Sequence, residues 1–117
     1  MQFQIEARVG VGLRHPHIHA LLTNDVPLSW LEIHTENWLA ESGMLAERLA
    51  EIRARYALSL HGVGMSLGSS DALDKQHLHQ LRRLVERCSP CLISEHLAWS
   101  SVDGQHANDL LPLVFDA

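Results

Sequence analysis

The chain has 117 residues, enough for one domain, and its 46% apolar content is ordinary for a soluble globular protein. Its net charge is −5, and its nine Lys and Arg are scattered, which excludes the clustered basic charge that a nucleic-acid backbone requires. No apolar run approaches the ~20 residues of a membrane span, and Met1 to Arg14 lacks the charged, apolar, small-residue order of a signal peptide, so no membrane partner and a cytoplasmic location are expected.

Hydrophobic periodicity predicts a first strand over about Arg8 to Arg14, then a His-rich segment and a short helix near His19 to Thr23. A second strand follows at Trp30 to His34. From Met44 to Arg55, Leu45, Leu49 and Ile52 recur at helical spacing, while Glu47, Arg48, Glu51 and Arg55 fill the wet face. The third strand is Ala57 to His61. Asp71 or Asp74 then caps a helix that turns Leu78, Leu81 and Val85 inward. The fourth strand is Cys91 to Leu97, and the segment from Asp103 to Asp109 reads as a loop.

Strands alternating with helices imply βαβ units and a parallel sheet. Side chains alternate across each strand. One face carries Val9, Val11, Leu13, Leu31, Ile33, Leu58, Leu60 and Ile93, and suits packing under helices. The other carries Gly10, Gly12, Arg14, Glu32, His34, Ser59, His61, Ser94 and His96, small at the strand starts and ionisable at the ends. An open doubly wound sheet buries both faces. A barrel interior with its site at the C-terminal strand ends accommodates that polar row. The expected fold is therefore α/β: the N-terminal half of a TIM (β/α)8 barrel, four parallel strands with three intervening helical segments. Residues 1–117 form a single, incomplete domain on this reading, with two open sheet edges through which the chain could self-associate.

Nine histidines is an excess for this length, and imidazole is the commonest neutral metal ligand. Position decides among them. His61 and His96 end strands on the inward face, which favours metal ligation over a hydrogen-bonded interior role. Glu32 and His34 share that face, as ligands or as partners that orient a ligand. Glu36 and Asn37 stand at the loop edge, with ligand and substrate-contact roles equally weighted. Glu95 alternates away from His96 and needs a bulge to ligate. His106, Asn108 and Asp109 either close the site or form a polar loop. Mixed nitrogen and oxygen donors suit iron, zinc or manganese.

Other motifs read more plainly. Gly62, Gly64 and Gly68 have no P-loop Lys after them and fit close backbone approach better than a phosphate cradle. His15, His17 and His19 read as solvated loop and cap histidines, and His77 and His79 as surface residues. Cys88-Ser-Pro-Cys91 straddles a helix-to-strand connection and lacks the further thiolates of a zinc site.

Five ordered segments carry a family resemblance: Gly10–Arg14, Glu32-Ile-His-Thr-Glu-Asn37, Leu58–Ser69, Ser94-Glu-His-Leu-Ala-Trp-Ser100 and Asn108-Asp-Leu-Leu-Pro-Leu113. Together they resemble domain-of-unknown-function family 692, the MbnB/TglH-like multinuclear iron enzymes. The resemblance implies a TIM barrel of the xylose-isomerase-like kind, about twice this length. It implies two or three irons, use of dioxygen, and oxidative modification of cysteine in a ribosomally made peptide presented by a partner protein. His61 and His96 are then iron ligands, with Glu32, Glu36, Asn37, Glu95, Asn108 and Asp109 around the site. The family continues after Leu113 into a fourth helix and later strands that bear further ligands, whereas this sequence ends Val114-Phe-Asp-Ala117. The site expected here is partial. Two other functions compete: a non-catalytic truncated product, and a zinc- or manganese-dependent barrel enzyme of the isomerase or endonuclease type.

Overall fold

A computed structural model describes residues 9–116, so the expected strand start at Arg8 lies outside the described residues. Four strands, β1 (Val11–Gly12), β2 (Trp30–His34), β3 (Ala57–Gly62) and β4 (Leu92–Glu95), form one parallel sheet in the order β1-β2-β3-β4. Helices α1 (Ile18–Thr23), α2 (Met44–Arg55) and α3 (Lys75–Cys88) connect them, and short 3-10 turns at His15–His17 and Thr35–Trp38 follow β1 and β2. No helix among the described residues is long and apolar enough to cross a membrane. The α/β architecture expected from strand–helix alternation is present.

The register explains the two faces. Leu31 stands beside Leu58 and Ile33 beside Leu60, and these four are fully buried beneath the helices. Ile18 and Leu21 of α1, Leu49 and Ile52 of α2, and Leu84 and Cys88 of α3 pack into the same core. Each such aliphatic side chain contributes about 1.5–3 kcal/mol on leaving water. At the sheet's margins the apolar row is open: Val11 and Ile93 are exposed.

Three arginines tie the helices to this core. Carbonyl groups at a helix C-terminus lack intrahelical donors. Arg55 donates to the carbonyls of Leu21 and Leu22 at the end of α1, at 3.1 and 2.8 Å. Arg53 donates to the Cys88 carbonyl at the end of α3. Arg87 donates to Ala40 and Trp38, at 3.0 and 3.2 Å, holding the turn after β2. These three basic residues are thus committed to backbone.

Two expectations need correction. Asp74 caps α3, accepting from the N–H groups of Gln76 and His77, and Val85 packs against the core with Leu81 half-buried, as expected, but Leu78 does not face inward. Leu84 is 0% exposed and Cys88 is buried, while Leu78 is 45% exposed. His77, Leu81, Leu84 and Cys88 follow the i, i+4, i+7, i+11 spacing of a packed face.

The segment read as a loop after Asp103 is instead a β-hairpin, β5 (Trp99–Val102) paired antiparallel with β6 (Gln105–Leu111). Asp103 and Gly104 both have positive φ, 51° and 71°, and connect Val102 to its partner Gln105. That is a two-residue type I′ turn, for which Asp-Gly is a favoured sequence. The β3–α3 loop holds the hairpin. Ser66 Oγ accepts from the N–H groups of Ser100 and Ser101, Ser69 Oγ donates to the Ser101 carbonyl at 2.6 Å, and Gly68 N–H donates to Ala98. Asp71, the other candidate cap, accepts from the N–H groups of Asp103 and Gly104 in the hairpin turn.

Replacing Leu84 by Ala should cost about 2–5 kcal/mol through cavity formation, whereas Leu78→Ala should change stability by no more than about 0.5 kcal/mol. Urea denaturation of the two variants checks which face of α3 is packed, and equal effects would contradict it.

Candidate functional site

The inward face of the sheet gathers three imidazoles at the strand ends. His34 and His61 are register partners, with ring centroids 5.8 Å apart. His96, just past the end of β4, lies 4.6 Å from the His61 ring. A carbonyl oxygen only accepts, so the 3.3 Å contact from His96 Nδ1 to the Gly62 carbonyl fixes the proton on Nδ1. The Nε2 lone pair of His96 is then available to a ligand. His61 Nδ1 likewise shares a 2.8 Å hydrogen bond with Ser94 Oγ, its neighbour across the ladder. Both rings are held by one nitrogen, in the manner of metal-ligating histidines.

The turn after β3 is fastened by Glu36. Its carboxylate accepts from the N–H of Val63 at 3.0 Å, the N–H of Gly64 at 2.8 Å and the Thr35 hydroxyl at 2.9 Å. Burial works to raise its pKa. The hydrogen bonds from Val63, its own backbone, Thr35 and Gly64 outweigh burial and hold the pKa below the ordinary carboxylate value. His77 Nε2 lies 3.3 Å from the same carboxylate, and both side chains are mostly buried. His77, expected at the surface, therefore belongs to the strand-end cluster. The signal was its position in the first turn after Asp74, because the N-terminus of a crossover helix begins near the strand end that precedes it. His79 is exposed, as expected.

The glycines of this loop act by leaving space. A Cβ on Gly62 would lie 2.1 Å from Glu95 Oε2, and one on Gly64 would lie 2.9 Å from His77 Cε1. A Cβ on Gly68 would meet Leu113 at 2.3 Å. Glu95 thus lies over Gly62, with Oε1 accepting from the N–H of His96 and Oε2 buried without a hydrogen-bond partner among the described residues.

The remaining residues singled out in the sequence are dispersed. Glu32 sits one pleat deeper than His34 and accepts from Ser59 Oγ at 3.3 Å. Asn37 is exposed and lines a cleft with His34 and Glu32. His106, Asn108 and Asp109 are exposed on β6, where Asp109 accepts from the N–H of Leu110. His15 stacks on Trp38, with centroids 5.6 Å apart and planes 11° from parallel, a contact the sequence reading did not foresee. No three of the described His, Cys, Asp and Glu side chains converge as a complete metal cage requires. His61 and His96 would fit a metal as two nitrogen donors, and the unpartnered Glu95 oxygen lies over Gly62. Cys88 and Cys91 are free thiols; Cys88 is buried and Cys91 donates from Sγ to the Leu58 carbonyl.

A parallel α/β sheet with imidazoles collected at the C-terminal strand ends is the layout of TIM-barrel-like proteins. The sequence comparisons narrow that class. Residues 8–117 match the model of the RiPP precursor modification enzymes MbnB/TglH/ChrH, and the chain belongs to that family. It is 46% identical to a UPF0276 protein of Bordetella pertussis over 112 residues, which are 96% of this chain and 39% of that relative. A UPF0276 protein of Psychromonas ingrahamii is 42% identical, over 92% of this chain and 38% of its own length. One of Paraburkholderia phytofirmans is 46% identical, over 94% of this chain and 36% of its own. The chain spans under two-fifths of the length of the curated relatives it matches.

Two measurements test the site's framework. A carboxylate whose pKa is depressed by folding adds stability above its unfolded pKa, and that stability is lost as pH falls through the folded value. Thermal melts should therefore weaken as the pH drops below the ordinary carboxylate range, and Glu36→Gln should flatten that part of the profile; an unchanged slope would contradict the Glu36 clasp. For the cysteines, burial raises the Cys88 pKa despite the nearby Arg87 and Arg53. A thiol-specific chromogenic reagent should modify Cys91 well before Cys88, since the thiolate is the reactive form.

Proposed function

We propose that this chain carries part of the metal site of an enzyme that oxidatively modifies cysteine in a ribosomally made peptide, with iron as the metal. The paired imidazoles His61 and His96, each fixed through one ring nitrogen, are the observation that carries this reading. Family membership supports a peptide substrate. Residues 1–117 then belong to one barrel domain working in the cytoplasm, with a partner protein presenting the peptide. Iron, when bound, would supply dioxygen-dependent oxidation of the peptide thiol.

The chain's own residues prepare that chemistry. Gly62 holds the His96 proton on Nδ1 and so leaves Nε2 as a donor. Ser94 orients His61, and Glu36 fixes the turn that follows it. A carboxylate clasp on backbone N–H groups limits the motion of the His61–Gly62 segment, which keeps both ligands near one geometry. The open sheet edges support self-association as a further contact of the isolated chain. Imidazole donors also suit zinc and manganese, which would keep the site and change the reaction.

Metal analysis of protein prepared without air tests the proposal. Iron should co-purify, and His61→Ala and His96→Ala should each lower it markedly. Folded protein free of iron, or metal content indifferent to both substitutions, would overturn it; zinc or manganese in its place would favour the isomerase- or endonuclease-type reading.

A further inference from the structure

Beside the imidazole row lies a cleft of about 430 Å³ that no step above uses, lined by Arg14, His15, Glu32, His34, Asn37 and Trp38. The parallel ladder explains its layout. Gly12 stands opposite Glu32, and Leu13 N–H donates to the Glu32 carbonyl at 2.7 Å; Arg14, extended just past the end of β1, comes two residues beyond Gly12 as His34 comes two beyond Glu32. Across the sheet, His34 stands beside His61 at the strand ends. The deeper level runs Gly12, Glu32, Ser59.

Arg14 differs from the arginines of the outer layer. Arg53, Arg55 and Arg87 donate to carbonyls, and Arg82 pairs with Glu86. Among the described residues, no carboxylate or carbonyl engages the Arg14 side chain. Its nearest acidic neighbour in the cleft, Glu32, lies at the deeper level and is hydrogen-bonded to Ser59. The wall beside Arg14 is aromatic: the exposed His15 is stacked on the buried Trp38. The cleft thus sets an aromatic wall, a guanidinium and an amide side chain side by side, the last two being donors that suit an anion in a chain of net charge −5.

We propose that this cleft binds a carboxylate of the peptide substrate, held by the Arg14 guanidinium, so that the residue being modified is directed toward His34 and His61. The substrate class rests on the proposed peptide-modifying function; the carboxylate subsite itself rests on the cleft. The carboxylate is either the peptide's chain end or an acidic side chain close to the modified residue. Fork-to-carboxylate pairing makes Lys an incomplete substitute for Arg here.

Nuclear magnetic resonance titration of the isotopically labelled chain tests this with three probes. N-acetylglycine offers a chain-end carboxylate, N-acetylaspartic acid α-amide offers a side-chain carboxylate, and N-acetylcysteinamide offers a thiol alone. At least one carboxylate probe should shift the Arg14 side-chain, His15 and Trp38 indole signals, and which one binds more tightly identifies the source. Arg14→Gln should weaken that probe by about tenfold or more, the scale of a charged hydrogen-bond pair, and Arg14→Lys should fall between. Unchanged signals outside the cleft confirm that both variants fold. Shifts that persist in Arg14→Gln, shifts centred elsewhere, or no binding by either carboxylate would overturn the subsite. The thiol probe, added to iron-loaded protein, reports on the peptide-cysteine reading separately: carboxylate binding without thiol binding removes that reading and leaves the subsite standing.

Discussion

The parallel register of β2 on β3 is the constraint on which the rest of the structure depends. Leu31 beside Leu58 and Ile33 beside Leu60 give the helices a continuous apolar floor. The same pairing brings Glu32 beside Ser59 and His34 beside His61 on the opposite face. Strand side chains have a period of two, so a slip of one residue would exchange these faces. Core and site are therefore specified by one set of hydrogen bonds.

Charge is used economically around that ladder. Outside it, guanidinium groups meet carbonyls that helix ends leave without donors. Inside and above it, Glu36 meets N–H groups that the turn after β3 leaves without acceptors. Both devices let irregular backbone approach a tightly packed sheet without orphaned polar groups, which would otherwise cost about 1–3 kcal/mol each. The glycines complete the arrangement by leaving room for Glu95 and His77 where a Cβ would meet them.

Much of this was legible from the amino acids. β2 and α2 have the bounds their patterns predict, because each has a strong period and clear ends. The inward placement of His34 and His61 followed from alternation alone. What escaped has physical reasons. The α3 stripe includes a histidine and a cysteine, His77 and Cys88, so a count of aliphatic residues chose Leu78 instead. The hairpin was hidden by its polar β6 strand, although Asp103-Gly104 carried a turn signal. The clasp from Glu36 to Val63 and Gly64 joins residues 27 and 28 positions apart, and backbone N–H groups leave no trace in a side-chain pattern.

The hairpin is attached through the β3–α3 loop, by Ser66, Ser69, Gly68 and Asp71, and a single peptide stretch of 96–98 joins it to β4. Segments more than thirty residues apart in sequence thereby share one set of hydrogen bonds, mostly from backbone N–H groups to side-chain oxygens. Opening either one exposes the donors and acceptors of the other, so the two should loosen as a single cooperative unit. The loop that leads away from His61 and the arm that leads away from His96 are in that sense one unit, and the hydrogen bonds between them tie the surroundings of one imidazole to those of the other.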